Sequence, residues 1–167
     1  MRGDSDAADL LHPTGEFSAR LMIVAMMVGP LIAIFGPRRW TLWMMRHRRA
    51  FGVAAFGYAL LHLVFYVIDM ETLDFMLAEI GAPGIWTGWI AFFAMLAPAV
   101  ISNEWAVKTL RRNWKRIQRL VYLVALLTVV HWAFLSYSII PAAIHFAPLL
   151  LLNLFRVAKF SNKRTMQ

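Results

Sequence analysis

Five apolar stretches divide this chain of 167 residues, and their lengths limit what it can fold into. A helix rises about 1.5 Å per residue, so about 20 residues cross a hydrocarbon core of roughly 30 Å. Hydrophobic residues make up 60% of the sequence and charged residues only 16%, whereas a soluble domain carries about a quarter charged residues. The sequence therefore predicts an all-α, polytopic membrane helix bundle with five transmembrane helices. The apolar stretches are 17–35, 50–68, 85–101, 120–140 and 141–155.

The charged residues lie between these stretches and alternate in sign. Basic runs occupy 38–49, 108–119 and 156–164, whereas acidic residues cluster in 1–16 and 69–79. Because cytoplasmic segments of membrane proteins carry an excess of Lys and Arg, we expect the amino terminus outside and the carboxyl terminus inside. The net charge of +8 then predicts contact with anionic membrane lipid, not with nucleic acid. This pattern is typical of a multi-pass protein of the bacterial cytoplasmic (inner) membrane.

A single domain is expected, since the sequence contains no repeat, linker or low-complexity tract. Its predicted parts are a polar extracytoplasmic tail at 1–16, a transmembrane domain at 17–156 and a basic cytoplasmic tail at 157–167. The absence of cysteine excludes disulfides, thiolate metal sites and iron–sulfur clusters. No phosphate-binding glycine loop, Ser/His/Asp arrangement or HExxH motif is found, so no catalytic residue is assigned.

Two apolar stretches carry a histidine at membrane depth, where an ionisable side chain is costly and indicates a function. His62 lies 13 residues beyond Arg49 and His131 lies 12 residues beyond Arg119, so both are about 18–20 Å from the basic edge. Both helices should run outward, which predicts two imidazoles at one depth on parallel helices. A haem iron held between helices needs this arrangement, so His62 and His131 are predicted to clamp one. Hydrogen bonding that only aids helix packing remains the alternative.

The residues around the histidines favour a cofactor pocket. Tyr58 and Ala59 lie about one turn before His62 and Tyr66 one turn after it, so they are predicted to leave room for a macrocycle and pack against it. Thr128 lies one turn before His131 and is placed to orient it, although a bond to its own backbone is the more usual role. A zinc site is disfavoured, because no third or fourth ligand lies at that depth.

The other histidines have weaker assignments. His145, a few residues into the fifth stretch, could approach the outer edge of the site and is not predicted to be a ligand. His12 lies in the polar tail and His47 in the first basic run, and both are expected to be solvated or near lipid head groups.

Two segments carry a resemblance to a known family: RRAFGVAAFGYALLHLVFYVIDM from residue 48, and WIAFFAMLAPAVISNEWAVKTLRRNWKRIQRLVYLVALLTVVHWAF from residue 89. Their order is a YALLH span, an S-N-x-W basic loop, then W-K-R-x-x-R-L-V-Y-L before an intramembrane histidine. This order resembles the MsrQ (YedZ) haem-binding membrane subunits of the wider ferric-reductase-like transmembrane group.

The resemblance implies that His62 and His131 ligate haem b in a membrane electron-transfer subunit of an oxidoreductase system. The acceptor that it implies is a periplasmic molybdenum enzyme that reduces methionine sulfoxide. The implied donor is quinol or a cytosolic flavin reductase, and FMN or quinone is implied as a further cofactor.

The sequence departs from this family at two points. Gln118 stands where members often have a further histidine, so a second, inner haem would lose its ligand and one haem is predicted. The chain also has five predicted spans where many members have six.

Two other functions stay open. A ferric-reductase-like protein could reduce an extracytoplasmic acceptor directly, with cations collected by Asp69, Glu71, Asp74 and Glu79. The histidines could also serve a non-haem membrane transport or assembly protein.

Overall fold

The computed structural model describes residues 6–165, with side chains described over 7–159. The described chain folds into eight helices, of which three are short. They are α1 (Asp6–Phe35), α2 (Arg39–Asp69), α3 (Leu73–Glu79), α4 (Pro83–Val100), α5 (Glu104–Leu110), α6 (Arg112–Gln118), α7 (Leu120–Leu135) and α8 (Ile140–Thr165).

Five segments are long and apolar enough to cross a membrane, which confirms the predicted all-α bundle of five transmembrane helices. Four of them lie within α1, α2, α4 and α8, and the remaining one joins α6 to α7 (Arg112–Leu135).

The first two helices begin earlier than the apolar stretches suggested. α1 starts at Asp6 where the predicted span started at 17, and α2 starts at Arg39 where it started at 50. Acidic residues near a helix amino terminus are favourable, and Arg, Met and Trp are compatible with a helix interior. The acidic segment is therefore helical from residue 6, and the first basic run forms the start of α2 and not a loop.

A tight turn makes α1 and α2 an antiparallel pair. Gly36 has a φ of +78°, which favours glycine, and its carbonyl accepts a hydrogen bond from Thr41 Oγ1 at 2.9 Å. Thr41 Oγ1 also accepts from the backbone N–H of Arg38 at 2.8 Å. Further along the pair, Ser18 Oγ donates to the carbonyl of Ala55 at 2.8 Å. These bonds fix the register of α1 against α2, and this register brings the start of α1 beside the end of α2.

The second antiparallel pair is α4 with α7, and α8 packs against α1 and α7. The short helices α5 and α6 connect α4 to α7 at the end of the bundle that carries the basic residues. There Gln118 Nε2 donates to the carbonyl of Pro98 at 3.1 Å and to Ser102 Oγ at 3.3 Å. Trp114 Nε1 donates to the carbonyl of Ile101 at 3.1 Å. The connection is thus bonded to the last turn of α4.

The two helix pairs enclose a core of buried apolar side chains. Met22, Met26, Met95 and Val124 belong to this core, with Ala55 fully buried among them. Large apolar side chains such as Leu126 lie exposed on the outer surface, as expected for a bundle that faces lipid. At the end of the bundle opposite to α5 and α6, helices α1 and α4 begin and helices α2 and α7 end. We call this the histidine end.

Candidate functional site

A cavity of about 460 Å³ lies between the two helix pairs at the histidine end. All four helices of the pairs contribute to its lining, which is mostly apolar and aromatic, with Leu63, Trp89 and Phe92 among the wall residues. Met95 and Val124 belong both to the lining and to the buried core below, so they form the floor. A pocket of this size and composition is typical of a cofactor site.

His62 and His131 enter this cavity from opposite helix pairs. The centres of their rings are 6.2 Å apart and the ring planes cross at 89°. α2 and α7 run in the same direction, and the short distance between the rings places both residues at one level of the bundle, as their spacing from the basic runs predicted. The two imidazoles therefore face a common space, although they are 69 residues apart in sequence.

Each imidazole is held by a backbone carbonyl of the other helix in its pair. His62 Nδ1 lies 2.8 Å from the carbonyl oxygen of Leu11 on α1, and His131 Nδ1 lies 2.6 Å from that of Gly84 on α4. A carbonyl oxygen only accepts hydrogen bonds, so both Nδ1 atoms carry the proton and donate it. A neutral imidazole that is protonated on Nδ1 keeps a free lone pair on Nε2. This tautomer can bind a metal through Nε2.

The geometry fits a haem iron with two axial histidines. Two imidazoles bound to one metal ion at about 2 Å would have ring centres roughly 6 Å apart, and the observed separation is 6.2 Å. Among the described residues, no group of three or more His, Cys, Asp or Glu side chains could hold a metal ion. A two-imidazole site suits iron whose remaining positions are filled by a porphyrin, and it does not suit tetrahedral zinc.

Of the other predicted pocket residues, three line the cavity and one does not. Ala59, Tyr66 and Thr128 line it, and Thr128 Oγ1 donates to the carbonyl of Val124 at 2.8 Å, the backbone role that the sequence favoured. Tyr58 instead packs its ring against Phe17 at 5.6 Å and is not among the lining residues.

Two glycines in contact with the histidines were missed by the sequence analysis. A Cβ atom built on Gly15 would lie 2.9 Å from His62 Nδ1, and one built on Gly88 would lie 2.6 Å from His131 Nδ1. The spacing of Gly84 and Gly88 is that of the small-xxx-small motif of membrane helices, so it offered a signal for close approach. Gly15 has the same spacing to Ala19, but it lies in the polar segment that was predicted to be a tail, where close packing between helices was not expected.

A polar cluster adjoins the cavity and includes the remaining outer histidines. Glu16 forms an ion pair with Arg20, and its Oε1 lies 3.0 Å from His145 Nε2. His145 packs against Trp132 at 4.9 Å, so it lies behind a lining residue at the edge of the site. His12 is exposed, as predicted, yet it also lines the cavity, 3.8 Å from Glu16.

Other predicted residues lie at both ends of the helix bundle. His47 is exposed on the basic part of α2, where its Nδ1 lies 2.8 Å from the carbonyl oxygen of Trp43. Of the four acidic residues expected to collect cations, Asp69 and Glu79 line the cavity. Gln118 lies in the α5–α6 connection, far along the bundle from His131.

Comparison with known proteins places these features in a family. The family described as ferric reductase-like transmembrane component matches residues 14–129. The protein-methionine-sulfoxide reductase heme-binding subunit MsrQ of Xanthomonas campestris pv. campestris (strain 8004) is 31% identical over 168 aligned positions, which cover 98% of this chain and 75% of the relative. The same subunit of Pectobacterium carotovorum subsp. carotovorum is 33% identical over 92% of this chain and 78% of the relative.

A third relative shows that the chain does not span the family's full length. The MsrQ subunit of Rhizobium meliloti is 32% identical over 73% of this chain and 56% of its own length. The chain therefore covers between about half and about three quarters of the length of these relatives. No solved structure matches it.

Proposed function

The chain belongs to the ferric reductase-like transmembrane family and to its branch of MsrQ haem-binding subunits, and from this premise we propose that it holds one haem b between His62 and His131. The observation that carries the proposal is the pair of imidazoles 6.2 Å apart in one cavity, each with its Nδ1 bonded to a carbonyl. As a member of this family, the chain is a membrane subunit for electron transfer.

Bound haem b supplies one-electron chemistry between ferric and ferrous iron. The residues of the chain prepare the site for it. The carbonyls of Leu11 and Gly84 hold both imidazoles in the tautomer with a free Nε2 and increase the basicity of that atom. Trp89, Phe92 and Leu63 form an apolar wall of the cavity, and this low-polarity surface would help to set the potential of a haem held by the two histidines.

The acceptor that we propose is a periplasmic methionine sulfoxide reductase of the molybdenum type. With the basic runs on the cytoplasmic side of a bacterial inner membrane, the histidine end faces the periplasm. The cavity includes residues from the ends of the helices, such as Asp69, Glu79 and Ser136, so its polar rim lies at that surface. A soluble reductase could dock there without entering the membrane.

Quinol is the donor that the depth of the site supports best. A water-soluble flavin reductase at the basic end would be separated from His62 by the 13 residues from Arg49, or about 20 Å. A quinol dissolved in the bilayer can approach the bundle at any depth. FMN, the other implied cofactor, carries a phosphate that would suit arginines of the basic end such as Arg112 and Arg116.

A second candidate function is supported by the carboxylates of the cavity. Glu16, Asp69 and Glu79 all line it, and such groups attract cations. Direct reduction of a ferric complex at the histidine end would make use of them. Mixing the dithionite-reduced, desalted protein with a ferric chelate, and separately with an oxidised methionine sulfoxide reductase, tests which acceptor reoxidises it.

The haem itself is tested by spectroscopy of the protein extracted gently from membranes. We expect a reduced b-type spectrum with one haem per chain, and loss of this spectrum to background in His62→Ala and His131→Ala, because each variant lacks one axial ligand. His47→Ala is the matched control, since His47 is exposed at the basic end. A wild-type protein without haem, or full haem content in both cavity variants, would show the proposal to be wrong and would favour a transport or assembly role.

A further inference from the structure

We propose that Gly15 and Gly88 are positioning residues that set the planes of the two axial imidazoles, and that the site holds its haem with these planes at right angles. The inference rests on the proposed function, because it takes His62 and His131 as the haem ligands. It concerns how each ligand is oriented, which the assignment of the ligands leaves open.

The contact at His131 shows how little space the ring has. A Cβ atom at position 88 would lie 2.6 Å from both Nδ1 and Cε1 of His131, a distance that real Cβ atoms essentially never show. One turn earlier on the same helix, the carbonyl of Gly84 accepts the hydrogen bond from His131 Nδ1 at 2.6 Å. The ring therefore lies against bare backbone at position 88 while its N–H is bonded at position 84.

The same arrangement recurs on α1 around His62. The carbonyl of Leu11 accepts from His62 Nδ1 at 2.8 Å, and four residues later a Cβ at position 15 would lie 2.9 Å from Nδ1 and 3.0 Å from Cε1. Residues four apart lie on one face of a helix, so the carbonyl and the glycine act on the same ring. We call each combination, Leu11 with Gly15 and Gly84 with Gly88, an imidazole clamp.

The two clamps fix two ring planes independently, because they belong to different helix pairs. The resulting angle between the planes is 89°. Imidazole planes at right angles act on different d orbitals of a ferric iron and leave these orbitals close in energy, whereas parallel planes separate them. Perpendicular ligands therefore give a low-spin electron paramagnetic resonance (EPR) signal with much stronger anisotropy, and its largest g value reports the angle.

The chain also provides a matched glycine control. Gly57 lies in α2, the helix of His62, and a Cβ built on it would meet nothing within 4 Å. Gly57→Ala therefore makes the same chemical change in a membrane helix without touching either ring.

The test compares the wild-type protein, Gly88→Ala, Gly15→Ala and Gly57→Ala as haem-loaded proteins of the 167-residue chain by ferric EPR and redox titration. We expect a strongly anisotropic low-spin signal from the wild type and from Gly57→Ala. The largest g value should fall and the midpoint potential should shift in Gly88→Ala, and both changes should be smaller in Gly15→Ala, where the added Cβ would lie farther from its ring. Loss of haem from a Gly88→Ala protein that keeps its helical circular dichroism and elution volume would also support the clamp.

Two results would overturn the inference while leaving the ligands assigned. One is a wild-type EPR signal of near-parallel imidazole planes, which needs no variant and holds even where Gly88→Ala fails to fold. The other is a Gly15→Ala or Gly88→Ala signal and potential identical to those of Gly57→Ala. Failure of the proposed function looks different, since haem would then be absent from the wild type or retained without His62 or His131.

Discussion

Tyr66 carries a hydroxyl group that the protein itself leaves without a partner. Among the described residues, its Oη is a buried side-chain polar atom with no hydrogen bond. Such a group costs about 1–3 kcal/mol relative to a bonded one, so it calls for an explanation. Tyr66 lines the cavity beside Trp89, and haem b carries two carboxylate groups that accept hydrogen bonds. The hydroxyl is therefore available to donate to the bound cofactor.

Tyr66→Phe separates this role from packing. Without haem, the variant should be as stable as the wild type or more stable, by up to about 1–3 kcal/mol, because an unsatisfied buried hydroxyl is removed. With haem, it should melt at a lower temperature than the wild type and release haem faster. Thermal denaturation of both forms measures this, with the exposed Tyr122→Phe as control. A variant whose haem-loaded form is as stable as the wild type would contradict the assignment.

The depth of the site residues was easier to predict from the sequence than the side of the helix on which each one lies. Counting residues from Arg49 and Arg119 placed His62 and His131 at one depth, because helix rise is constant. The side that a residue faces is harder to predict, since one step along a helix turns it by about 100°. Ala59 faces the cavity and Tyr58, one residue earlier, packs on Phe17. The carbonyl partners of the histidines depend on backbone register between helices, which side-chain composition does not encode.

The first turns of helix α1 are part of the site. The polar composition of 1–16 predicted a tail, because apolar content is the signal by which spans are recognised. The structure makes this segment helical from Asp6, and it supplies the carbonyl of Leu11, the contact of Gly15 and the carboxylate of Glu16. Polar residues at membrane depth are tolerated here because they face the cavity or one another.

A chain that begins at Phe17 tests this role. It retains both histidines and all the apolar stretches, yet it lacks the acceptor for His62 Nδ1 and one wall of the cavity. We expect its haem content after purification to fall to a small fraction of that of a chain beginning at Asp6. Circular dichroism checks that the remaining helices form in both. Equal haem content in the two proteins would mean that α1 before residue 17 is dispensable.

The connection between α4 and α7 supports a single haem site. Gln118 is engaged with the carbonyl of Pro98 and the hydroxyl of Ser102, which joins α6 to the end of α4. A glutamine in this place contributes to packing, whereas the histidine often found there in the family would be a candidate ligand. The length of α5 and α6, and these bonds between them and α4, were not predictable from a run of basic residues.

The two helix pairs of the molecule hold their histidines in the same way. In each pair the first helix holds, through a carbonyl and a glycine one turn apart, the histidine near the end of the second. Toward the basic end, Met22, Met26, Met95 and Val124 fill the space between the pairs. The site is therefore confined to the histidine end, and the side of the membrane that this end faces decides where electrons leave.

The absence of cysteine from the chain makes that orientation measurable with single substitutions. Asp74 on α3 and Arg112 on α6 are both exposed and lie toward opposite ends of the bundle. Because arginine-rich segments stay in the cytoplasm, a membrane-impermeant maleimide should label Asp74→Cys in cells with a permeable outer membrane, and label Arg112→Cys only after the inner membrane is opened. The reverse pattern would put the cavity on the cytoplasmic side, where a periplasmic reductase could not reach it. Labelling of Asp74→Cys from outside, in a protein that still binds haem, would place the basic end in the cytoplasm. A cytosolic donor at that end would then be about 20 Å from His62.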